Sequence, residues 1–197
     1  MVKEINIIRR IGSKQNDIKH FSKFLPLDCK IVVEPFGGSF AVSKWFYKDI
    51  NKYDFHINDL EKELFYIYTH YKTLINVLKE LASKFNEAVR KDKVKHFKSD
   101  LASMNINHLI KSYIIKNCIT RDYIVSNIPT ENLCKAEYDI LDRAKFTNED
   151  YTLVMEKYKD NEDVFLFLDP PYLFNDNSAY IPQNEKTDMT SIIVYIN

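Results

Sequence analysis

Apolar residues in this chain follow two kinds of pattern, and each kind predicts a different element. Short uninterrupted runs at 31–33 and 164–168 are typical of strands buried on both faces, as in the centre of a parallel sheet, and residues 53–58 alternate as a third strand does. Helical spacing predicts helices starting at Asn16 or Asp17 and ending at Pro26, at 39–48, from Asp59 to about residue 81, around 101–119, at 131–143 and at 148–159. This alternation of strands and helices predicts an α/β fold.

The alternation is interrupted between residues 84 and 149, where helical patterns follow one another without a strand. We therefore predict a sheet domain formed by residues 1–83 and 150–197, with residues 84–149 inserted into it as a mostly helical segment.

The predicted strand at 164–168 ends in Asp169, which is followed by Pro170, Pro171 and Tyr172. Proline cannot donate to a sheet ladder, so the two prolines stop the strand and hold the next residues in a stiff, extended turn. A carboxylate and a phenol ring are thereby presented at the carboxyl end of a strand, where open α/β sheets bind ligands. Taken alone, the stretch is also compatible with a strand followed by a simple proline turn.

Glycine is scarce and clustered. The chain has three glycines, and Gly12, Gly37 and Gly38 lie in two short loops near the N-terminus, as expected where another side chain would block the backbone geometry or the approach of a ligand. Gly37 and Gly38 stand between a strand and a helix, an arrangement in which backbone N–H groups receive a nucleotide-like ligand. Asp59 follows the next strand about twenty residues later, where an acid accepts hydrogen bonds from ribose hydroxyls in dinucleotide folds. A helix N-cap is its alternative role.

Charge and cysteine content narrow the function classes. Lys plus Arg and Asp plus Glu number 28 each, so any basic surface must be local. Three dispersed cysteines without a Cys-x-x-Cys pair predict a reduced intracellular protein, with no metal centre. No apolar run approaches membrane-spanning length and no signal-peptide core is evident, so we expect a protein that is neither membrane-embedded nor secreted. It would be cytoplasmic or associated with a host cell or virus.

The inserted segment carries a local excess of basic residues. The candidates for nucleic-acid contact are Arg90, Lys91, Lys93, Lys95, Lys98 and Arg121. Lysine and arginine supply sequence-independent affinity for phosphates. A solvated helix face is the alternative, since most charge runs are only that.

Taken in order, four loops resemble the motifs of the Dam-type class of DNA adenine-N6 methyltransferases: Gly12-Ser13-Lys14, Glu34-Pro35-Phe36-Gly37-Gly38-Ser39, Asn58-Asp59 and Asp169-Pro170-Pro171-Tyr172. The resemblance runs from about residue 11 to residue 180. It implies a Rossmann-like methyltransferase fold that binds S-adenosylmethionine and methylates the N6 amino group of adenine in DNA. It also implies that residues 84–149 form the target-recognition domain.

The resemblance assigns roles by position. Gly12 and Lys14 match the N-terminal cofactor motif, and Asp59 matches the ribose-binding acid. Positions of the glycine-loop motif are expected to bind the cofactor as well: Glu34, Phe36, Gly37, Gly38 and Ser39. The catalytic loop is matched by Asp169, Pro170, Pro171 and Tyr172, and Asp169 is expected to contribute to the cofactor site too.

Methyl transfer to an adenine amino group requires the residue types found in the Asp169 loop. The lone pair of an adenine amino group is delocalised into the ring, which makes the nitrogen a poor nucleophile. Asp169 and the Pro170 carbonyl can accept its two N–H bonds, favouring a tetrahedral nitrogen and stabilising the positive charge that develops on it. Tyr172 offers a ring on which the base can stack once it has left the duplex.

Two departures from the family pattern leave an alternative open. The family has glycine where this chain has Phe40, and a benzyl group there is expected to narrow the cofactor pocket. Roughly 25 residues follow Tyr172, too few for the further elements that complete the family's sheet. We therefore expect a truncated chain, a homo-oligomer or partner subunit that completes the sheet, or a catalytically inactive subunit that binds nucleic acid or supports a larger assembly. An RNA or protein substrate is a further alternative.

Overall fold

The computed structural model describes residues 5–9, 14, 17–85, 93–120, 123–124 and 133–170. The elements, in chain order, are α1 (Ile18–Phe21), β1 (Ile31–Glu34), α2 (Ala41–Phe46), β2 (Asp54–Asn58), α3 (Lys62–Thr69), α4 (Tyr71–Phe85), α5 (Lys93–Ser103), α6 (His108–Cys118), β3 (Ile119–Thr120), β4 (Tyr123–Ile124), α7 (Lys135–Arg143), β5 (Lys145–Thr147), α8 (Tyr151–Tyr158) and β6 (Val164–Leu166). Short 3₁₀ helices, Ser22–Phe24 and Tyr47–Asp49, follow α1 and α2.

The chain forms two compact units. One, the helical unit, consists of Met1–Arg9 and Tyr66–Asp142; the other, the sheet unit, consists of Arg10–Phe65 and Arg143–Asn197. The predicted division at residues 84 and 149 stays a prediction.

The sheet unit is built on a four-stranded sheet in the order β5-β2-β1-β6. Every pairing is parallel, with Ile31 opposite both Asp54 and Val164, and His56 opposite Lys145. Because the strands are parallel, their carboxyl ends all meet at one edge of the sheet. The predicted α/β fold is confirmed, and the sheet is consistent with a Rossmann-like methyltransferase.

Aromatic side chains pack against one another in the sheet unit. The Phe46 ring on α2 meets the rings of Tyr53 and Phe165 at centroid distances of 4.9 and 5.9 Å. The rings of Phe21 and Phe167 stack at 5.6 Å. Each such pair contributes about 0.5–1.5 kcal/mol beyond the burial of its apolar area.

The helical unit is stabilised by the amphipathic helix α4 and by polar anchors on the N-terminal segment. α4 buries a stripe of apolar residues that includes Leu74, Leu78 and Leu81. The buried Glu137 carboxylate accepts from the N–H groups of Ile7 and Ile8 at 2.5 and 3.0 Å. These contacts satisfy the backbone donors of a segment that, among residues 5–9, forms only an isolated bridge.

Two predicted helices are each two helices in the structure. The helix expected from Asp59 to about residue 81 stops at Thr69, and α4 begins at Tyr71. At the break the Tyr66 carbonyl accepts from the Thr69 hydroxyl at 3.1 Å as well as from the His70 N–H at 3.0 Å, and a side-chain contact of this kind often bends a helix. The helix expected around 101–119 is likewise divided: α5 ends at Ser103, and Asn107 caps α6 by accepting from the Leu109 N–H at 2.8 Å.

Two strands of the sheet unit also differ from the sequence expectation. β5 was not predicted, because Lys145–Thr147 has neither an apolar run nor a clear alternation. The strand expected at 164–168 is regular only over Val164–Leu166, and its side chains are half-buried rather than buried on both faces. In the described part of the chain β6 is the outermost strand on its side of the sheet, which accounts for this exposure.

Candidate cofactor and catalytic site

The glycine loop after β1 contacts the acid after β2. The Gly38 N–H donates to the Asp59 Oδ2 atom at 2.9 Å, and the neighbouring Gly37 N–H donates to the Asn58 carbonyl at 2.7 Å. Gly38 has φ 51°, in the left-handed region that a side chain disfavours. The loop and Asp59 are therefore held together at the carboxyl edge of the sheet, where the sequence placed a nucleotide-like ligand.

Asp59 also contacts the start of the following helix. Its Oδ1 atom accepts from the Glu61 N–H at 2.9 Å, just before α3 begins at Lys62. This is an Asx turn ahead of the helix rather than an N-cap, because Glu61, and not Asp59, directly precedes α3. One carboxylate oxygen therefore contacts the glycine loop, and the other contacts the backbone just before α3.

Phe40 has an unusual backbone conformation for a residue with a side chain. Its φ and ψ of 40° and 50° are left-handed, and its ring is fully buried. Its N–H closes a tight turn on the Gly37 carbonyl at 2.6 Å. This conformation explains why glycine suits the position; the predicted narrowing of the cofactor pocket by the ring stays a prediction.

Glu34 is buried at the carboxyl end of β1. One oxygen accepts from both the N–H and the hydroxyl of Ser43, at 2.8 and 2.5 Å, which connects the strand to α2. Burial raises the pKa of Glu34 to about 7, although the hydrogen bonds from Ser43 act in the opposite direction. The described contacts of Glu34 therefore hold the protein chain around the glycine loop.

An apolar cluster lies at the same edge of the sheet. The rings of Phe36 and Tyr151 are 5.1 Å apart at an angle of 32°, and Phe36 and Leu168 pack against Tyr151 and Met155. Ser39, in the same loop as Phe36, is buried as well. Tyr151 was not among the predicted site residues.

Lys14 and Asp169, which are far apart in the sequence, form an ion pair. The Lys14 Nζ atom lies 3.0 Å from the Asp169 Oδ1 atom, and both side chains are largely buried, with 19% and 25% exposed. Burial raises the pKa of Asp169, while the Lys14 ammonium acts to lower it. Phe167, two residues before Asp169, still donates to the Val33 carbonyl at 2.9 Å, so the carboxylate follows directly on the sheet edge.

Several predicted site residues lie outside the described residues. They are Gly12, Pro171 and Tyr172 of the predicted cofactor and catalytic loops, and Arg90, Lys91 and Arg121 of the predicted nucleic-acid surface. Pro170 is described and is half-buried beside Asp169.

The remaining basic candidates belong to α5 of the helical unit. Lys95 and Lys98 are exposed and Lys93 is half-buried. The opposite face of this helix is apolar, with Phe97 fully buried and its ring 5.3 Å from that of Phe85. α5 thus presents positive charge to solvent while it is held by its apolar face.

The described residues contain no cluster of three or more His, Cys, Asp or Glu side chains suited to a metal ion. Likewise, no helix within the described ranges has the length and apolar character needed to cross a membrane.

Residues 11–107 match the D12 class N6 adenine-specific DNA methyltransferases. The predicted resemblance to adenine-N6 methyltransferases is confirmed over this stretch, which contains Lys14, the glycine loop and Asp59. The Asp169 loop lies beyond the matched residues. None of the curated proteins compared with the chain matches it.

The sequence did not indicate the polar network behind the site. Asn58 was part of a recognised motif without a role, and His56 and Thr147 were not singled out at all. Their side chains are joined by hydrogen bonds, with 2.8 Å between His56 Nε2 and Thr147 Oγ1 and 2.8 Å between Thr147 Oγ1 and Asn58 Oδ1. No local signal could have shown this, because the pairs are 91 and 89 residues apart in the chain.

Proposed function

We propose that this protein transfers a methyl group from S-adenosylmethionine to the N6 amino group of adenine in DNA. One observation carries the proposal beyond the family match: the Gly38–Asp59 contact and the Lys14–Asp169 ion pair both lie at the carboxyl edge of one parallel sheet. Cofactor-binding and catalytic groups are expected at that edge in an open α/β fold.

The residues present fit S-adenosylmethionine. The left-handed backbone of Gly38 suits a residue without a Cβ atom, as expected where a loop approaches a ligand closely. Asp59, oriented by two backbone N–H groups, is suited to accept from the ribose hydroxyls. The half-buried Phe36 and Leu168 offer apolar surface at the same edge.

Asp169 is the proposed catalytic acceptor. The cofactor supplies an electrophilic methyl group on a sulfonium sulfur. Asp169 and the Pro170 carbonyl would accept the two N–H bonds of the adenine amino group, which directs the nitrogen lone pair away from the ring and stabilises the charge that develops on nitrogen. Lys14 supports this role because it favours the ionised, hydrogen-bond-accepting form of the carboxylate.

DNA is the proposed partner, and an intracellular location follows from it. Lys95 and Lys98, with Lys93 beside them, would contact phosphates and supply affinity that does not depend on sequence. The aromatic ring of Tyr172 would stack on the target base once it is flipped out of the duplex.

The first test is cofactor binding, measured by thermal unfolding with and without S-adenosylmethionine. We expect saturating cofactor to raise the Tm of the wild type, since a ligand that binds only the folded state stabilises it. Asp59→Ala should abolish the shift. Asp163→Ala is the control. The Asp163 Oδ2 atom lies 2.9 Å from the Lys30 Nζ atom at the amino end of the sheet, so removal of this carboxylate should leave the Tm shift intact.

The second test separates chemistry from binding. Asp169→Ala should retain the Tm shift with S-adenosylmethionine and lose methyl transfer to adenine-containing DNA. Retained transfer would refute the catalytic role of Asp169. The same assay with adenine-containing RNA decides between the two nucleic-acid substrates.

A catalytically inactive methyltransferase-fold subunit is the second candidate, and Phe40 favours it. A buried aromatic side chain stands where the family has glycine, next to the proposed cofactor loop. Absence of any Tm shift at saturating S-adenosylmethionine would support this alternative over the enzyme.

A further inference from the structure

The side chain of Asn58 joins three strand ends at the cofactor edge of the sheet. Its Nδ2 atom donates to the Pro35 carbonyl at 2.9 Å and to the Glu149 carbonyl at 3.0 Å. Its Oδ1 atom accepts from the Thr147 hydroxyl at 2.8 Å and from the Glu149 N–H at 2.9 Å. The residue is fully buried, and its two donors and two acceptor positions are all used.

These partners determine the orientation of the amide. A backbone N–H can only donate and a backbone carbonyl can only accept, so Oδ1 must face the Glu149 N–H and Nδ2 must face the two carbonyls. No other side chain of this size and shape offers two donors together with two acceptor positions: ionised aspartate has no donor, and leucine can neither donate nor accept.

The network continues through Thr147 to His56. Because the Thr147 hydroxyl gives its proton to Asn58, it accepts from His56 Nε2 at 2.8 Å. His56 is then protonated on Nε2, and its Nδ1 atom accepts from the Tyr158 hydroxyl at 2.9 Å. The result is one directed chain of hydrogen bonds, Tyr158 to His56 to Thr147 to Asn58.

This series of hydrogen bonds ends at Asn58, whose partners are backbone groups of the proposed cofactor site. Pro35 is the first residue after β1, and the Asn58 carbonyl accepts from the Gly37 N–H of the same loop at 2.7 Å. Asp59 follows Asn58 directly, and its N–H donates to the Thr147 carbonyl at 3.2 Å. A change in the hydrogen bonds of the Asn58 amide would therefore shift the positions of both the glycine loop and Asp59.

We propose that Thr147 and Asn58 are positioning residues, which place the glycine loop and Asp59 for cofactor binding. The inference rests on the proposed function, since it names what holds that site in place. Thr147 and Asn58 act through the backbone of residues 35–38 and through Asp59, and need not touch the cofactor themselves. Apolar side chains in place of Thr147 and Asn58 could fill the same space, but they could not form hydrogen bonds with the donors and acceptors of the two loops.

Thr147→Val tests the proposal, because valine has nearly the shape of threonine but lacks the hydroxyl. We expect the Kd for S-adenosylmethionine, measured by calorimetry, to rise about tenfold, as for loss of one buried hydrogen bond that the binding-competent state requires. Thr147→Ser restores the hydroxyl and should bind within about twofold of the wild type.

Tyr53→Phe is the matched control. It removes a hydroxyl that donates to the Leu27 carbonyl at 3.3 Å, just before the opposite end of β2. We expect it to lower the Tm without changing the Kd. If Thr147→Val lowers the Tm but binds the cofactor as the wild type does, the positioning role is overturned and Thr147 is structural only.

Two further outcomes are decisive. If Thr147→Val does not fold, Tyr158→Phe replaces it: His56 can then adopt its other tautomer and draw the Thr147 hydroxyl away from Asn58. A roughly threefold rise in Kd is expected, and an unchanged Kd overturns the proposal.

A wild type that binds no S-adenosylmethionine overturns the proposed function together with this inference. If the wild type binds the cofactor and the variants bind it equally well, only the inference is overturned.

Discussion

At the scale of single residues, Phe40 shows a conflict between backbone and side chain. Its left-handed backbone disfavours any residue with a Cβ atom, at a cost of about 1–2 kcal/mol. Its ring is fully buried and lies under the Lys44 ammonium, 5.0 Å from the ring centroid. The favourable free energy of burying the ring offsets this backbone cost, which explains how phenylalanine is accommodated in a left-handed conformation.

Substitution of Phe40 can separate these two contributions. Phe40→Ala and Phe40→Gly both remove the ring, but only glycine removes the left-handed penalty. We expect the glycine variant to be more stable than the alanine variant by about 1 kcal/mol in denaturant unfolding. At Ala41 in α2, glycine should instead be destabilising by about 0.5–1 kcal/mol. Equal stability of the two Phe40 variants would contradict the argument.

Two buried groups at the sheet have pKa values that are shifted towards their neutral forms. Burial raises the pKa of Glu34 from 4.5 to about 7, so its contribution to stability is complete below pH 4.5 and is lost as the pH rises through 7. Burial, with Lys145 and Lys157 nearby, lowers the pKa of His56 from 6.5 to about 4. Its contribution is complete above pH 6.5 and is lost as the pH falls through 4.

Between pH 4.5 and 6.5 the two contributions have opposite slopes, which gives a prediction. In Glu34→Gln the falling contribution of Glu34 is removed, so stability should rise with pH across this window more steeply than in the wild type. The difference between the two proteins should change by about 2–3 kcal/mol over the range from pH 4.5 to 7. Urea unfolding at several pH values measures it, and parallel pH profiles would contradict the assignment.

The Lys14–Asp169 ion pair predicts a pH effect on catalysis. Lys14 lowers the pKa of Asp169 against the effect of burial, so its removal should raise that pKa further. Because the ionised carboxylate is the proposed acceptor, the acid limb of the kcat profile should move to higher pH in Lys14→Gln. Lys30→Gln, which breaks the exposed Lys30–Asp163 pair, should leave the limb in place.

At the scale of elements, helix boundaries depend on side chains that the apolar pattern does not show. After the break that follows α5, Asn107 caps the start of α6, because its side chain accepts from the Leu109 N–H. We expect Asn107→Ala to lower the free energy of unfolding by about 1 kcal/mol. The nearby exposed Asn105 is the control, and Asn105→Ala should change it by less than about 0.5 kcal/mol.

The strand β5 illustrates the opposite case, an element whose own sequence is weak. Lys145–Thr147 joins the sheet because it pairs with β2 in parallel register, His56 opposite Lys145 and Asn58 opposite Thr147. That register brings the Thr147 hydroxyl to the Asn58 amide. Pairing with a distant strand, rather than local propensity, therefore decides both the element and the network built on it.

At the scale of the whole molecule, the proposed functions are divided between two units with separate chemistry. The basic residues Lys95 and Lys98 belong to the helical unit, whereas Asp59 and Asp169 belong to the sheet unit. DNA affinity and cofactor affinity should therefore respond to different substitutions.

The double substitution of Lys95 and Lys98 to Gln tests this separation. We expect weaker DNA binding and an unchanged Kd for S-adenosylmethionine. The slope of log K against log salt should fall in magnitude by about 0.9 for each DNA phosphate that the variant no longer neutralises. Substitution of Lys19 and Lys23 to Gln makes the same change in net charge within the sheet unit. If it weakens DNA binding equally, net charge rather than α5 accounts for the effect.

By itself, the sequence determined the features that local patterns encode. The buried run of β1 with the glycines behind it, the alternation of β2 before Asp59, and the strand that ends at the Asp169 loop were predicted from neighbouring residues, and together they specified the α/β class. Periodicity and strand-ending residues act within a few positions, so they can be detected without knowing the fold.

Only the tertiary structure decided which of these parts meet. The pairing of β5 with β2, the contact of Lys14 with Asp169, and the chain from His56 through Thr147 to Asn58 each join residues far apart in the sequence. Their side chains are ordinary surface or core types when considered one at a time. They gain their roles because burial removes water and leaves each polar group only the partners that the fold brings to it.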